Sequence, residues 1–426
     1  MTNTNSNTRK MPAGRLMPAT RKIRFFFPLL FFISLLFASS ELQAQSSGDF
    51  RTNGSGGGNW EDASTWEIYG GVVAGWVPST YAPSFNDGVI TILTSDQVSL
   101  TSDLTVDQLV IEADATFTVF SGTLTVNNGT GTDIYNGGSF GFNTSVPNLT
   151  VNSGANIDGD AGPSFYIGFN GTTLTNNGTI FGILMIDGDL AGTGSIGTLV
   201  TFKTGGSGEI NILSGQQTIT GLLNFNYGNI STGPNKLIVA STASVQNNSG
   251  TELFVRGTLQ MDFPAGTSAK TFRLGDASSN GYRPITVTLF NVSGSGGITA
   301  STTAGEFPNI SSSGFDTTKD VNRWWAITNT GLLYDNSIIS LTWDAGEVDA
   351  GATPANLKTG RWGDSSGWSY PASANPTGTS IDITGNPLLG NFAVGELLPV
   401  VTIPDANFKA ALVGNATINT NADTEI

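Results

Sequence analysis

Cysteine and histidine are both absent from the 426 residues. Without histidine there is no imidazole general base at neutral pH, no Ser-His-Asp triad and no imidazole metal ligand. Without cysteine there is no thiolate nucleophile, structural zinc site or disulfide. The lack of disulfides does not argue against export, because a large domain can stabilise itself by burial alone. Charge is scarce as well: 12% of residues are charged, against roughly 25% in ordinary soluble domains. Between residues 52 and 255 the only basic residues are Lys203 and Lys236.

The charge that is present is unevenly placed. Arg9, Lys10, Arg15, Arg21, Lys22 and Arg24 precede the apolar run FFFPLLFFISLLF at residues 25–37, and no acid occurs before Glu41. A basic segment, a short apolar core and small residues after it describe a secretory signal peptide over residues 1–44. The run is too short for a span of about 20 residues, and it contains Pro28. Cleavage is expected between Ser40 and Ala44, giving a secreted or surface-exposed product with no membrane span. Removing residues 1–44 takes six basic residues and one acid, leaving 12 against 32 and a charge of −20. So acidic a chain should be repelled by nucleic acid and by anionic lipid.

From Val89 to about Gly250 short β-branched strings alternate with Asn-Gly turns, a strand-and-turn grammar with no helical period. Leu104-Thr-Val, Leu124-Thr-Val, Leu149-Thr-Val, Leu174-Thr-Asn and Leu199-Val-Thr begin at spacings of 20, 25, 25 and 25. One strand-like string per period of that length predicts a parallel β-helix, a solenoid whose coils bury their cores only by stacking. Residues 45–88 contain Trp60 and Trp66 in GNWEDASTW. They are read as a cap over the solenoid's open end rather than as a sugar-stacking platform. Residues 251–398 change grammar: seven short strands with polar loops, among them RWWAITN (323–329) and NFAVGE (391–396), predict an antiparallel β-sandwich. Residues 399–426 carry the one helical signal, with Asp405 as cap, Phe408, Ala411 and Leu412 on one face, and Gly414 as stop. The expected class is therefore all-β, with a short helical C-terminal stub.

Few motifs carry chemistry. Gly192-Thr-Gly194-Ser-Ile-Gly197 matches a dinucleotide loop in spacing, but a β-type string follows where a helix is required. Asp158-Gly-Asp160 and Asp187-Gly-Asp189 are paired turn acids. With Lys203 or Lys236 they could serve a polysaccharide lyase or hydrolase acting on the solenoid flank. Threonine pairs such as Thr123-x-Thr125, Thr173-x-Thr175 and Thr218-x-Thr220 are not expected to repeat on consecutive coils. Asn419, Asn421, Asp423 and Glu425 follow the alternation of an EF-hand-type loop, the last through its carbonyl. This is a candidate calcium site, but its twelfth-position acid would fall four residues past Ile426.

At these residues the chain resembles large secreted surface proteins of bacteria that use a type IX secretion system. The likeness rests on GNWEDASTW (58–66) ahead of the β-helix, on VNRWWAI (321–327) and GNFAVGE (390–396) in the sandwich, and on IPDANFKAALVGN (403–415) with INTNADTEI (418–426). The last part is similar to the segment preceding leucine-rich repeats, which implies that further domains would follow in a full-length protein. The resemblance implies an architecture similar to adhesin-like and haemagglutinin-like proteins, most of which have no established activity. The signal peptide, the repeats, the acidic low-charge surface and the missing catalytic residue types add the expectation of a non-enzymatic surface module with a glycan or protein ligand and no resident cofactor. The competing expectation is a carbohydrate-active enzyme or a polysaccharide-binding protein.

Overall fold

A computed structural model describes residues 45–143, 146–159, 166–203, 208–276, 281–363, 366–399, 403–415 and 417–418. The signal segment and the loop residues Asn419, Asn421, Asp423 and Glu425 lie outside the described residues. Among the described residues no helix is long and apolar enough to cross a membrane.

Three stacks of parallel strands wind into a β-solenoid of about eight turns. The first runs through Phe50–Thr52, Ile90–Ile92, Leu109–Ile111, Ile134–Asn136 and Asn156–Gly159. The second runs through Gly57–Asn59, Gln97–Leu100, Thr116–Val119, Ser139–Phe142 and Tyr166–Phe169. The third holds the sequence repeat: Leu104, Leu124, Leu149 and Leu174 are in register on consecutive coils, and so are Val106, Val126, Val151 and Asn176. The alternation in each string sends these residues inward, where all are buried. Each of these leucine and valine side chains contributes about 1.5–3 kcal/mol of burial, and the coil-to-coil hydrogen bonds fix the rise at about 4.8 Å.

The expected fifth repeat member is placed differently. Leu174 pairs with Leu190, whereas Leu199 lies between Leu184 and Leu223 on the second stack. The cause is a shortened coil. Thr179–Ile186 is one strand with a register shift between Ile180 and Ile183 that serves two stacks at once. Asn176, where the repeat has valine, sits at this change. Its side chain donates to Gln217 Oε1 and Ser195 O, each at 3.1 Å, while Gln217 Nε2 donates to the carbonyls of Asn176 and Ala191 at 3.0 and 2.9 Å. Both side chains are fully buried and their hydrogen bonds close on one another. Gln217→Leu should therefore cost about 1–3 kcal/mol in denaturant unfolding, since it takes a donor from the carbonyls of Ala191 and Asn176, the second of which keeps the Gly194 amide, and an acceptor from the buried Asn176 side chain. No loss would mean that the carbonyls find other donors.

The sandwich grows from the last solenoid coil. Strand Val255–Asp262 pairs in parallel with Asn229–Val239 on one edge and antiparallel with Gly297–Ala304 on the other. That sheet continues antiparallel through Phe315–Asn329, Gly390–Leu397, Leu357–Gly363 and Gly367–Ser369. The second sheet is Gly266–Phe272, Ile285–Val292, Asn336–Thr342, Ser380–Ile383 and Ser373–Ala374. Its inner residues, such as Val287, Ile339 and Ile381, share one hydrophobic cluster with Ile298, Trp325 and Phe392 of the first. The strand Gly297–Ala304 was not legible as one: its inward positions are Ile298, Ala300 and Thr302, too small to mark an apolar face. The helix Ala406–Val413 is capped by Asp405, whose carboxylate accepts from the amides of Asn407 and Phe408; none of its residues is buried.

Candidate functional site

The solenoid flank does not gather its acids. Asp158 lies on the first stack, opposite Tyr135. Asp187 is at the corner before the third stack, 3.6 Å from Lys203 Nζ, which also donates to the Asp187 carbonyl at 2.5 Å. Asp189 lies on the third stack and accepts from the Asn211 amide and side chain at 2.9 and 3.1 Å. Lys236 donates to Gln260 Oε1 at 2.7 Å, on a later coil. Asp160 lies outside the described residues. The described acids therefore have separate partners: Asp187 is paired with Lys203 and Asp189 with Asn211, while Asp158 lies on another stack. The glycine motif beside them is structural: Gly192 has φ +90°, and a Cβ there would sit 2.4 Å from the Asn176 carbonyl oxygen.

Threonine is more regular than expected. Thr105, Thr125, Thr150 and Thr175 are in register on four consecutive coils, a half-buried column of hydroxyls that ends at Ala191. The tryptophans are less available. Trp60 and Trp66 are buried, with their indole N–H groups bonded to the carbonyls of Pro83 and Trp60. Trp324, Trp362 and Trp368 are half-buried and pack edge-on or tilted around Phe307.

The densest chemistry in the sandwich flanks strand Phe315–Asn329. Its pairing with Gly390–Leu397 is irregular on both sides of Asp320, between Phe315 and Asp320 and again between Asp320 and Trp324. Such bulges re-aim side chains. Gly395 faces Asp320, and a Cβ there would lie 2.8 Å from the Asp320 Cβ. Opposite, the isolated bridge Val321↔Val348 brings in Glu347 and Asp349. Asp349 accepts from the Asp320 amide at 3.2 Å and from Asn322 Nδ2 at 2.8 Å. Glu306, just past the end of Gly297–Ala304, completes a group of three carboxylates whose oxygens lie within 4.8 Å of one another. Asp320 is 1% exposed, and neither of its carboxylate oxygens meets a hydrogen-bond donor. Burial, then the charges of Glu306 and Asp349, push its pKa up to about 8. Burial and Asp349 also raise Glu306, which is itself exposed to solvent. A carboxyl this enclosed cannot reach a glycosidic oxygen. What the arrangement can hold is a shared proton or a cation.

On the other side of the same bridge the charges are balanced. Arg323 is fully buried; its Nε and one terminal nitrogen donate to both oxygens of Glu347 at 2.9 and 2.6 Å. It also donates to Thr302 Oγ1 at 2.8 Å and to Asp276. Arg283 lies 3.4–3.5 Å from Asp344 and Glu347. Neither the acidic group nor this network was found from sequence. Their members are spread from residue 276 to residue 349, and the only local signals are Asp320-x-Asn322 and Glu347-x-Asp349, two alternations that the bridge sets against each other. Comparison of the chain with models of protein families, with curated proteins and with solved structures finds no match.

Proposed function

We propose that the chain is an exported, surface-displayed module that binds or displays rather than turns over a substrate. The observation that carries this reading is the shared strand Val255–Asp262, hydrogen-bonded to the solenoid on one edge and to the sandwich on the other. Such a joint has no linker in which to hinge. It suits a stalk that holds a sandwich at a fixed distance and orientation from whatever anchors it. The sequence supports export through the basic and apolar segment of residues 1–44, and the composition lacks histidine and cysteine chemistry. Asp158 and Asp189 lie on different stacks, which supports a displayed surface over a catalytic groove.

The ligand is a glycan or a protein at the surface. The purified chain should bind saturably to a panel of glycans, matrix proteins or whole cells, and leave every polysaccharide offered to it uncut. Measurable turnover of a polysaccharide without saturable binding to any of these would overturn the reading.

A further inference from the structure

We propose that Glu306, Asp320 and Asp349 form a calcium site in the sandwich. The cluster of acids is only part of the argument. Asp320 is 1% exposed, and both its oxygens are without a donor, although a donor is available two residues away: Asn322 gives its amide to Asp349. A buried carboxylate left in this way costs free energy unless it takes up a proton or a cation sits against it, and a cation neutralises all three acids at once. Among the described residues the neighbouring cations are engaged elsewhere. Arg323, three residues along the strand, is committed to Glu347, Asp276 and Thr302, and Lys319 lies 3.6 Å from Asp316.

The chemistry of the donors selects the ion. All three are carboxylate oxygens, the hard ligands that calcium takes at about 2.3–2.6 Å. Two oxygens facing each other across such an ion stand about 4.8 Å apart, and the three here lie within 4.8 Å of one another. Zinc favours nitrogen or sulfur ligands, and the chain has no histidine or cysteine. Magnesium requires about 2.0–2.1 Å and near-ideal octahedral geometry. The exposed Glu306 leaves one side open, so water fills the remaining calcium positions and affinity falls in the range of extracellular modules, on the order of 0.1–1 mM. The ion would join three separate stretches: the segment after Gly297–Ala304, the irregular part of Phe315–Asn329, and the turn that carries Asp349.

The test uses the purified chain stripped with chelator, thermal unfolding, and calorimetric titration with calcium chloride. At 10 mM calcium the midpoint should rise by about 3 °C, with a smaller rise in magnesium. Asp320→Asn should abolish both the shift and the binding heat while folding normally without calcium, because it removes the charge that calcium neutralises. Glu306→Gln, at an exposed position with little risk to folding, should weaken binding at least tenfold. Asp423→Ala, in the C-terminal loop of the sequence, should leave the shift intact. A shift that survives both Asp320→Asn and Glu306→Gln, or one that vanishes with Asp423→Ala, would overturn the proposal. So would the absence of any binding heat at millimolar calcium.

Discussion

Arg323→Met is expected to lower unfolding free energy by about 3–5 kcal/mol, because it takes the shared guanidinium from two largely enclosed carboxylates. The side chain of Arg323 is fully buried, while those of Asp276 and Glu347 are 15% and 17% exposed. Methionine would fill much of the volume yet leave two acids facing an apolar cavity. Arg323→Lys keeps the charge but loses the fork that meets both oxygens of Glu347, and should fall between the two. Denaturant unfolding followed by tryptophan fluorescence would read the change, since Trp324 and Trp325 adjoin the site. The pH dependence gives a second check. Burial alone would raise Glu347, but hydrogen bonds from Arg323 and the Asp344 amide, with the charges of Arg323 and Arg283, hold its pKa below the ordinary value. A lowered acid pKa stabilises the fold above 4.5, the ordinary glutamate value, and that contribution is lost as pH falls below it. Wild type should therefore lose stability on acidification more steeply than Arg323→Met. Equal slopes, or a loss under about 1 kcal/mol at neutral pH, would mean that the network rearranges around the vacancy.

The same network shows where sequence and structure part company. Solenoid strands are legible because their signal is local: Leu104-Thr-Val alternates inward and outward within three residues, and its recurrence sets the stacking. The signal failed at Leu199, where a coil lost residues by fusing two strands, so that a fixed period carried the reading onto the wrong stack. It failed again at Gly297–Ala304, which is buried by its neighbours on both sides rather than by its own side chains. The acids at 306, 320 and 349 meet only because the end of one strand, the irregular part of the next and a turn converge, and no window of sequence contains them together. Asn176 is the instructive middle case: it stood out as a departure from Leu-Thr-Val, but its partner Gln217 lies two coils away.

Trp60→Ala is expected to open the N-terminal end of the solenoid while leaving the rest folded. Trp60 is buried against Trp66, ring centroids 4.7 Å apart and edge-to-face, and against Phe117 at 5.3 Å. Its indole N–H also satisfies the Pro83 carbonyl at 3.0 Å. Truncating a buried tryptophan costs about 3–5 kcal/mol, and in a solenoid each coil is held by its neighbours alone, so the loss is felt first where the stack ends. Hydrogen exchange should then quicken in Phe50–Thr52, Gln97–Leu100 and Thr116–Val119, with little change in the sandwich strands. Trp60→Phe keeps most of the packing but orphans the Pro83 carbonyl, and should cost about 1–3 kcal/mol. Trp76→Ala is the control: that ring is half-buried and rests on Arg51 at 4.4 Å and on Tyr69, so its loss should cost about 1 kcal/mol. Uniform acceleration of exchange across both solenoid and sandwich would refute the local picture. It would show instead that the shared strand Val255–Asp262 makes the whole chain a single cooperative unit, in which a cap at one end stabilises the far end as strongly as the near one.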